Sequence, residues 1–249
     1  MSEKKGVHLY SFFCAINLQI LKENLLTYLQ QFVSSDRMRL INEKVEQRTR
    51  YLTLMVENVF QSHNASAILR TSDCFGVQDI YIVEKNNRFS ANEEVALGAQ
   101  QWLTVKTYPS YEGNTRDAIA ELKQKGYRIV ATALHDNAQP LENFDFKKGK
   151  VAFMLGTELT GLSDEALSLA DEYVVIPMRG FTQSLNVSVA AGIILHFSTW
   201  KIFSSDIPWS LSEEEKLELK IQWLKKSIRR GDLIEQRYLN QLNELSQPK

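Results

Sequence analysis

Three short segments of this chain gather polar side chains at places where the backbone must turn: NASAILRTSDCFG (Asn64–Gly76), LGTELTGLS (Leu155–Ser163) and IPMRGFTQSLNVSVA (Ile176–Ala190). In the third, a β-like run over Tyr173–Ile176 stops at Pro177, and Gly180 follows in the loop. Proline supplies no N–H and glycine tolerates positive φ, so the chain is built to turn sharply there. The small-residue run SLNVSVAAGIIL then reads as a helix, with Ser184 and Asn186 where it should begin. Their side chains can cap that helix or face a ligand. A polar strand-to-helix junction is a common binding place in α/β proteins.

Several chemistries are disfavoured by the same residues. No G-x-G-x-x-G follows a strand, which speaks against a dinucleotide fold and against Rossmann-type methyltransferases. Gly156–Ser163, GTELTGLS, has the glycine spacing of a phosphate loop but carries Leu162 where the lysine belongs. His8, His63, His135 and His196 are scattered and have no Cys or carboxylate partner at ligand spacing, so no metal site is expected. Ser184 sits in no G-x-S-x-G elbow.

Taken together and in this order, the three segments resemble the motifs of the SPOUT (α/β-knot) RNA methyltransferases, in the ribose 2′-O-methylating SpoU/TrmH branch. The first matches N-x-[SG]-A-I-x-R through Asn64, Ser66, Ala67, Ile68 and Arg70. The second matches G-x-E-x-x-G through Gly156, Glu158 and Gly161. The third matches P-M-x-G-x-x-x-S-L-N-V-S-x-A at every fixed position. The resemblance covers roughly Tyr51–Trp200.

It implies a trefoil knot at the C-terminal part of the core, S-adenosylmethionine as methyl donor and S-adenosylhomocysteine as product. It also implies a cofactor site made by Thr132, Ala133 and Leu134, by Leu155 and Gly156, and by Ile176, Pro177 and Met178 with Leu185 and Asn186. Arg70 is the residue expected to serve the chemistry. A guanidinium is very hard to deprotonate, its pKa lying above about 12. A role in holding the target phosphate and stabilising the developing alkoxide is therefore favoured, with base function left open. By the same likeness Asn64 orients Arg70 or the ribose, and Glu158 and Asn186 organise the site. Ser184 serves as helix cap, in the cofactor loop, or both.

The elements that must position these groups alternate. Strands are expected over Leu52–Val59, Asp79–Glu84, Leu103–Tyr108, Tyr127–Leu134, Val151–Leu155 and Tyr173–Ile176. Helices are expected over Ala65–Phe75, Thr115–Lys125, Asp164–Ala170 (capped by Ser163) and Val187–Phe203. That order predicts an α/β fold with a mostly parallel six-stranded sheet over 51–203. Helical additions flank it at 1–50 and 204–249. In the first, residues 11–33 form one helix, and Asp36 caps a second from Arg37 to about Thr49. Phe12 and Phe13 belong to no motif. In the last, Ser212 and Glu215 make a capping-box pattern, Leu217, Ile221, Leu224 and Ile228 recur at helical spacing, and Gly231 signals a stop. Asp232 then caps a final helix.

With 249 residues, 44% hydrophobic and 24% charged, the chain can bury a proper core. It has no apolar run of membrane-spanning length. Val7–Ile20 is interrupted by His8, Asn17 and Gln19 and lacks a cleavage site, so no secretory signal is read. Two cysteines, Cys14 and Cys74, make no disulfide framework, and a cytoplasmic setting is expected. The net charge of −1 does not announce a nucleic-acid binder, but its distribution is uneven. Lys216–Arg237 holds seven basic residues against three acids. Arg37, Arg39, Lys225, Lys226, Arg229 and Arg230 are the candidate RNA contacts; the alternative is a solvated helix face.

Family members with short helical additions, the C-terminal one basic, include those that methylate a D-loop guanosine of tRNA, so tRNA is favoured over ribosomal RNA. A non-catalytic RNA-binding relative is the rival from another class, and the intact motif set speaks against it. The resemblance also implies a homodimer paired through the knot region, and the apolar, small-residue-rich run Val187–Trp200 can pack closely with a partner.

Overall fold

The computed structural model describes residues 18–59, 61–89, 96–157, 160–182 and 184–245. Glu158 of the second motif therefore lies outside the described residues, as do Phe12, Phe13, Cys14 and the interrupted apolar run before residue 18. Contacts divide the chain into two compact units, Arg48–Ser210 and a second made from Met1–Gln47 with Leu211–Lys249.

In the larger unit the strands are β1 (Leu52–Glu57), β2 (Asp79–Val83), β3 (Thr104–Tyr108), β4 (Arg128–Thr132), β5 (Gln139–Pro140), β6 (Val151–Leu155) and β7 (Glu172–Val175). They form a sheet in the order β3-β2-β1-β6-β4-β7-β5, and every pairing is parallel. The six expected strands are all present: β6 keeps its expected bounds, β7 is shifted one residue toward the N-terminus, and the other four are trimmed. The count of six is corrected to seven, because Gln139–Pro140 adds a two-residue edge beside β7 that is too short to show in a hydrophobic pattern. β1 ends at Glu57 and not at Val59, since Asn58 takes φ 55° and leaves the ladder.

Period-2 alternation sends alternate side chains to opposite faces, and both faces are covered, as a parallel sheet requires. Leu52, Leu54, Val56, Val130 and Phe153 pack beneath Ile68 and Leu69 of α3 (Ser62–Cys74) and Ala191, Ile194 and Leu195 of the long helix over Val187–Phe203. Met55, Tyr81, Ile129 and Met154 face the other way. They pack on Ile119 and Leu122 of the helix over Asn114–Gln124, α4, and on Ala166 of α5 (Asp164–Leu169). The Val187–Phe203 helix is then α6. Each such side chain contributes about 1.5–3 kcal/mol when fully buried, so the interlocked faces supply most of the driving force.

The smaller unit is helical: α1 (18–30), α2 (Ser35–Val45), α7 (Glu213–Ser227) and α8 (Gly231–Leu245). Leu217, Ile221, Leu224 and Ile228 are buried, as their spacing predicted, along with Leu25, Leu29, Ile41 and Val45. The capping box at Ser212 and Glu215 is formed. Four local readings change, one of them at Asp232, which lies in the first turn of α8 and not at its cap. α2 begins at Ser35 and is capped by the Ser34 hydroxyl, leaving Asp36 in its first turn, where a carboxylate suits the helix dipole. It ends at Val45, short of Thr49. Gly231 opens α8 instead of closing a helix: a Cβ there would sit 2.1 Å from the Lys225 carbonyl oxygen, so only glycine allows the close turn. No helix among the described residues is long and apolar enough to cross a membrane.

Candidate active site

Because β4, β6 and β7 run parallel, their C-terminal ends reach the same edge of the sheet. A cavity of about 350 Å³ opens there. Thr132, Ala133 and Leu134 come to it from the end of β4, and Leu155, Gly156, Thr157 and Gly161 from β6 and its loop. Val174, Val175, Ile176 and Met178 follow from β7, and Ser184, Leu185, Val187 and Ala190 close it from the last motif. Eight of the ten residues assigned to the cofactor thus line one cavity, together with Ser184 and Gly161; Pro177 and Asn186 are not part of its lining. The described lining carries no charged side chain, which suits an aromatic heterocycle and a sugar better than a polyphosphate.

The loop after β6 is folded tightly on itself. Thr157 and Gly161 exchange N–H···O bonds of 3.0 Å in both directions. A Cβ on Gly156 would lie 2.1 Å from the Gly161 carbonyl carbon, and Gly161 itself holds φ +70°. Both glycines of the second motif are thereby accounted for by backbone geometry alone. The loop then enters α5 through Ser163, whose hydroxyl accepts the Ala166 N–H at 3.2 Å, the expected cap.

Asn186 joins the first and third motifs. Its Oδ1 accepts the N–H groups of Ser188 and Val189 at 2.9 and 3.4 Å, so it caps α6. Its Nδ2 donates to Asn64 Oδ1 at 3.1 Å. The cap is therefore Asn186 and not Ser184, whose exposed hydroxyl is left to the cavity. Helix α3 begins at Ser62, earlier than the expected Ala65, so Asn64 is a buried first-turn residue. Arg70 lies on the same helix and is exposed to solvent. Six positions separate the two, so their side chains leave the helix about 120° apart. Asn64 is turned toward Asn186 while Arg70 projects outward.

Glu57 fell inside the strand expected over Leu52–Val59 and was given no role there. It is 3% exposed, and its carboxylate accepts three hydrogen bonds: from Thr115 Oγ1 at 2.7 Å, Ser163 Oγ at 2.8 Å and Ser163 N–H at 2.8 Å. The available signal was a lone acid closing an otherwise apolar strand. No group of His, Cys, Asp and Glu among the described residues could hold a metal ion.

The basic candidates belong to the smaller unit. Arg37 and Arg39 are exposed on α2, and Arg39 lies 3.9 and 4.0 Å from Asp36 and Glu43. Lys226, Arg229 and Arg230 are exposed around the α7–α8 turn. Lys225 is drawn into ion pairs with Asp232, at 3.1 Å, and Glu235. Burial pulls its ammonium pKa down, and the two carboxylates outweigh this, leaving it raised. Two neighbouring arginines of the larger unit are also committed: buried Arg48 pairs with Asp73, and Arg50 with Asp79 at 3.2 Å.

The model of the SpoU rRNA methylase family matches residues 51–196. A tRNA (guanosine(18)-2′-O)-methyltransferase of Borreliella burgdorferi is 40% identical over 83% of this chain and 93% of its own length. The protein of that name from Thermus thermophilus is 40% identical over 64% of this chain and 79% of its own. Among solved structures, the TrmH/SpoU tRNA modifying enzyme of A. aeolicus superposes with a TM-score of 0.69 and 32% identity, covering 78% of this chain and 98% of that one.

Proposed function

We propose, from the premise that this chain belongs to the SpoU methylase family, that it is an S-adenosylmethionine-dependent ribose 2′-O-methyltransferase acting on tRNA, at a D-loop guanosine. The observation that carries the reading is the convergence of the ends of β4, β6 and β7 and the last motif on one uncharged cavity, with Asn186 bonded to Asn64 beside it. Apolar walls from Leu155, Val174, Ile176 and Leu185, with backbone groups at three strand ends, fit an adenosyl group. When bound, the cofactor supplies an activated methyl on a sulfonium, so the protein must hold, align and exclude water.

Each motif then has a task. Gly156 and Gly161 let the β6 loop close flat against the cavity. Leu185 and Met178 cover it from the third motif, and Ser184 offers a hydroxyl to the ligand. The Asn186–Asn64 bond fixes α3 relative to the cofactor loop, and so sets where Arg70 stands. Arg70, exposed on α3, receives the target phosphate and stabilises the negative charge that develops on the ribose 2′-oxygen. By the family motif alone, Glu158 is given an organising role. We place the knot of the family in the segment after β4, around the cavity.

The core over 51–203 carries the chemistry, and the additions at 1–50 and 204–249 select the RNA. The names of the relatives support tRNA over ribosomal RNA as substrate. A homodimer in the cytoplasm is the working form. Val189, Ile193 and Trp200 are 50%, 38% and 59% exposed and lie within about 40° of one another around α6, an apolar stripe that a second copy would cover.

The reading is tested by titration calorimetry with S-adenosylmethionine and S-adenosylhomocysteine, and by light scattering. Binding of both, with the product at least as tight, and a dimer at micromolar concentration are expected. Absence of heat at millimolar ligand would overturn the cofactor assignment, and a monomer would overturn the assembly.

A further inference from the structure

We propose that Glu57 is a positioning residue for the cofactor loop, acting through Ser163. The inference rests on the assignment of the cavity to S-adenosylmethionine. Glu57 closes β1, the strand next to β6, and its carboxylate is buried on the α4 side of the sheet. Ser163 ends the loop that leaves β6 at Gly156, and it gives Glu57 both its backbone N–H and its hydroxyl. Thr115, in the first turn of α4, supplies the third hydrogen bond, and the Lys85 ammonium stands 3.9 Å away.

The loop therefore has two kinds of restraint. At its neck, the Thr157–Gly161 pair and the side-chain-free Gly156 hold the two arms together, but nothing in that pair fixes the hairpin to the sheet. At its exit, Glu57 ties Ser163 to the neighbouring strand. A buried carboxylate must find acceptor-matched partners, and here two of its three come from one loop residue. An apolar residue at position 57 would serve the core as well. What it could not do is fix the backbone of Ser163, and with it the wall formed by Gly156, Thr157 and Gly161.

The variants are Glu57→Ala, Glu57→Gln and Thr115→Val, each read by amide hydrogen exchange without ligand and by calorimetry with S-adenosylhomocysteine. Glutamine keeps an oxygen for the Ser163 N–H and turns its amide toward two hydroxyls that can rotate to accept. Thr115→Val removes one bond to the same carboxylate without touching the loop. Glu57→Ala should speed exchange selectively over residues 160–167 and weaken S-adenosylhomocysteine at least tenfold. Glu57→Gln should recover affinity to within about threefold of wild type, and Thr115→Val should lower the melting temperature with affinity unchanged. Should Glu57→Ala not fold, the Gln and Val variants still decide. The inference is overturned if Thr115→Val loses as much affinity as Glu57→Ala, or if Glu57→Ala exchanges and binds like wild type. Wild-type protein that binds no S-adenosylhomocysteine would instead overturn the cofactor assignment, and this inference with it.

Discussion

On the proposed reading Arg70 and Asn186 divide the labour of the site, and their substitutions should fail in different ways. Arg70 is exposed on α3 and lines no part of the cavity. Arg70→Ala should therefore abolish methyl transfer while S-adenosylhomocysteine affinity in calorimetry stays within about twofold; activity within about threefold of wild type would remove Arg70 from the chemistry. Asn186 is both the cap of α6 and the link to Asn64. Asn186→Ala should cost about 1 kcal/mol from the lost cap, measurable by denaturant unfolding, and should lower cofactor affinity. Asn64→Ala combined with it should be less than additive, because the two changes break the same bond. These side chains were legible as candidates from motif and family likeness. Their partners were not: Asn186 and Asn64 are 122 positions apart, and only the fold brings an Nδ2 of one to the Oδ1 of the other.

At the scale of elements, hydrophobic period and turn chemistry carried far, because most strands are apolar runs bounded by Gly, Pro or Asn. Helix α6 was found with its observed bounds, and Ser163 and Ser212 cap the helices they precede. What escaped was of two kinds. β5 has two residues, below the length at which alternation exists, and Glu57 has a role set by neighbours from α4 and the β6 loop. A third feature invisible to periodicity lies where β3 meets α4. Burial there raises the Glu121 pKa, but hydrogen bonds from Lys106, Tyr108 and Lys125 outweigh it and hold the carboxyl down to about 2. A depressed carboxylate stabilises the fold above its unfolded value of about 4.3, and this is lost as pH falls from there toward 2. Glu121→Gln should thus lower stability at pH 7 by at most about 3 kcal/mol, each pKa unit being worth about 1.4 kcal/mol. It should also flatten the fall in unfolding free energy between pH 5 and pH 2. An unchanged slope in denaturant titrations across that range would show that the cluster does not couple to folding.

For the whole molecule, the proposed function asks a chain with net charge −1 to hold RNA. The ion pairs of Lys225 leave Lys226, Arg229 and Arg230 as the exposed members of that basic cluster. Replacing all four by Gln should weaken tRNA binding and flatten its salt dependence by about one log–log unit for each phosphate that is no longer neutralised. Filter binding across a salt series measures this; an unchanged slope would mark the cluster as a solvated helix face. Leu217, Ile221, Leu224 and Ile228 are untouched by the change, so cofactor binding should survive. The central claim is that the cavity and Arg70 together methylate a tRNA ribose. Nucleoside mass spectrometry on tRNA and ribosomal RNA, from cells lacking the gene and from the same cells with it restored, tests that claim most directly. The account predicts that one 2′-O-methylguanosine in the tRNA D-loop vanishes with the gene, returns with wild-type protein and does not return with Arg70→Ala. An unchanged tRNA with a lost methyl in ribosomal RNA, or full restoration by Arg70→Ala, would contradict it.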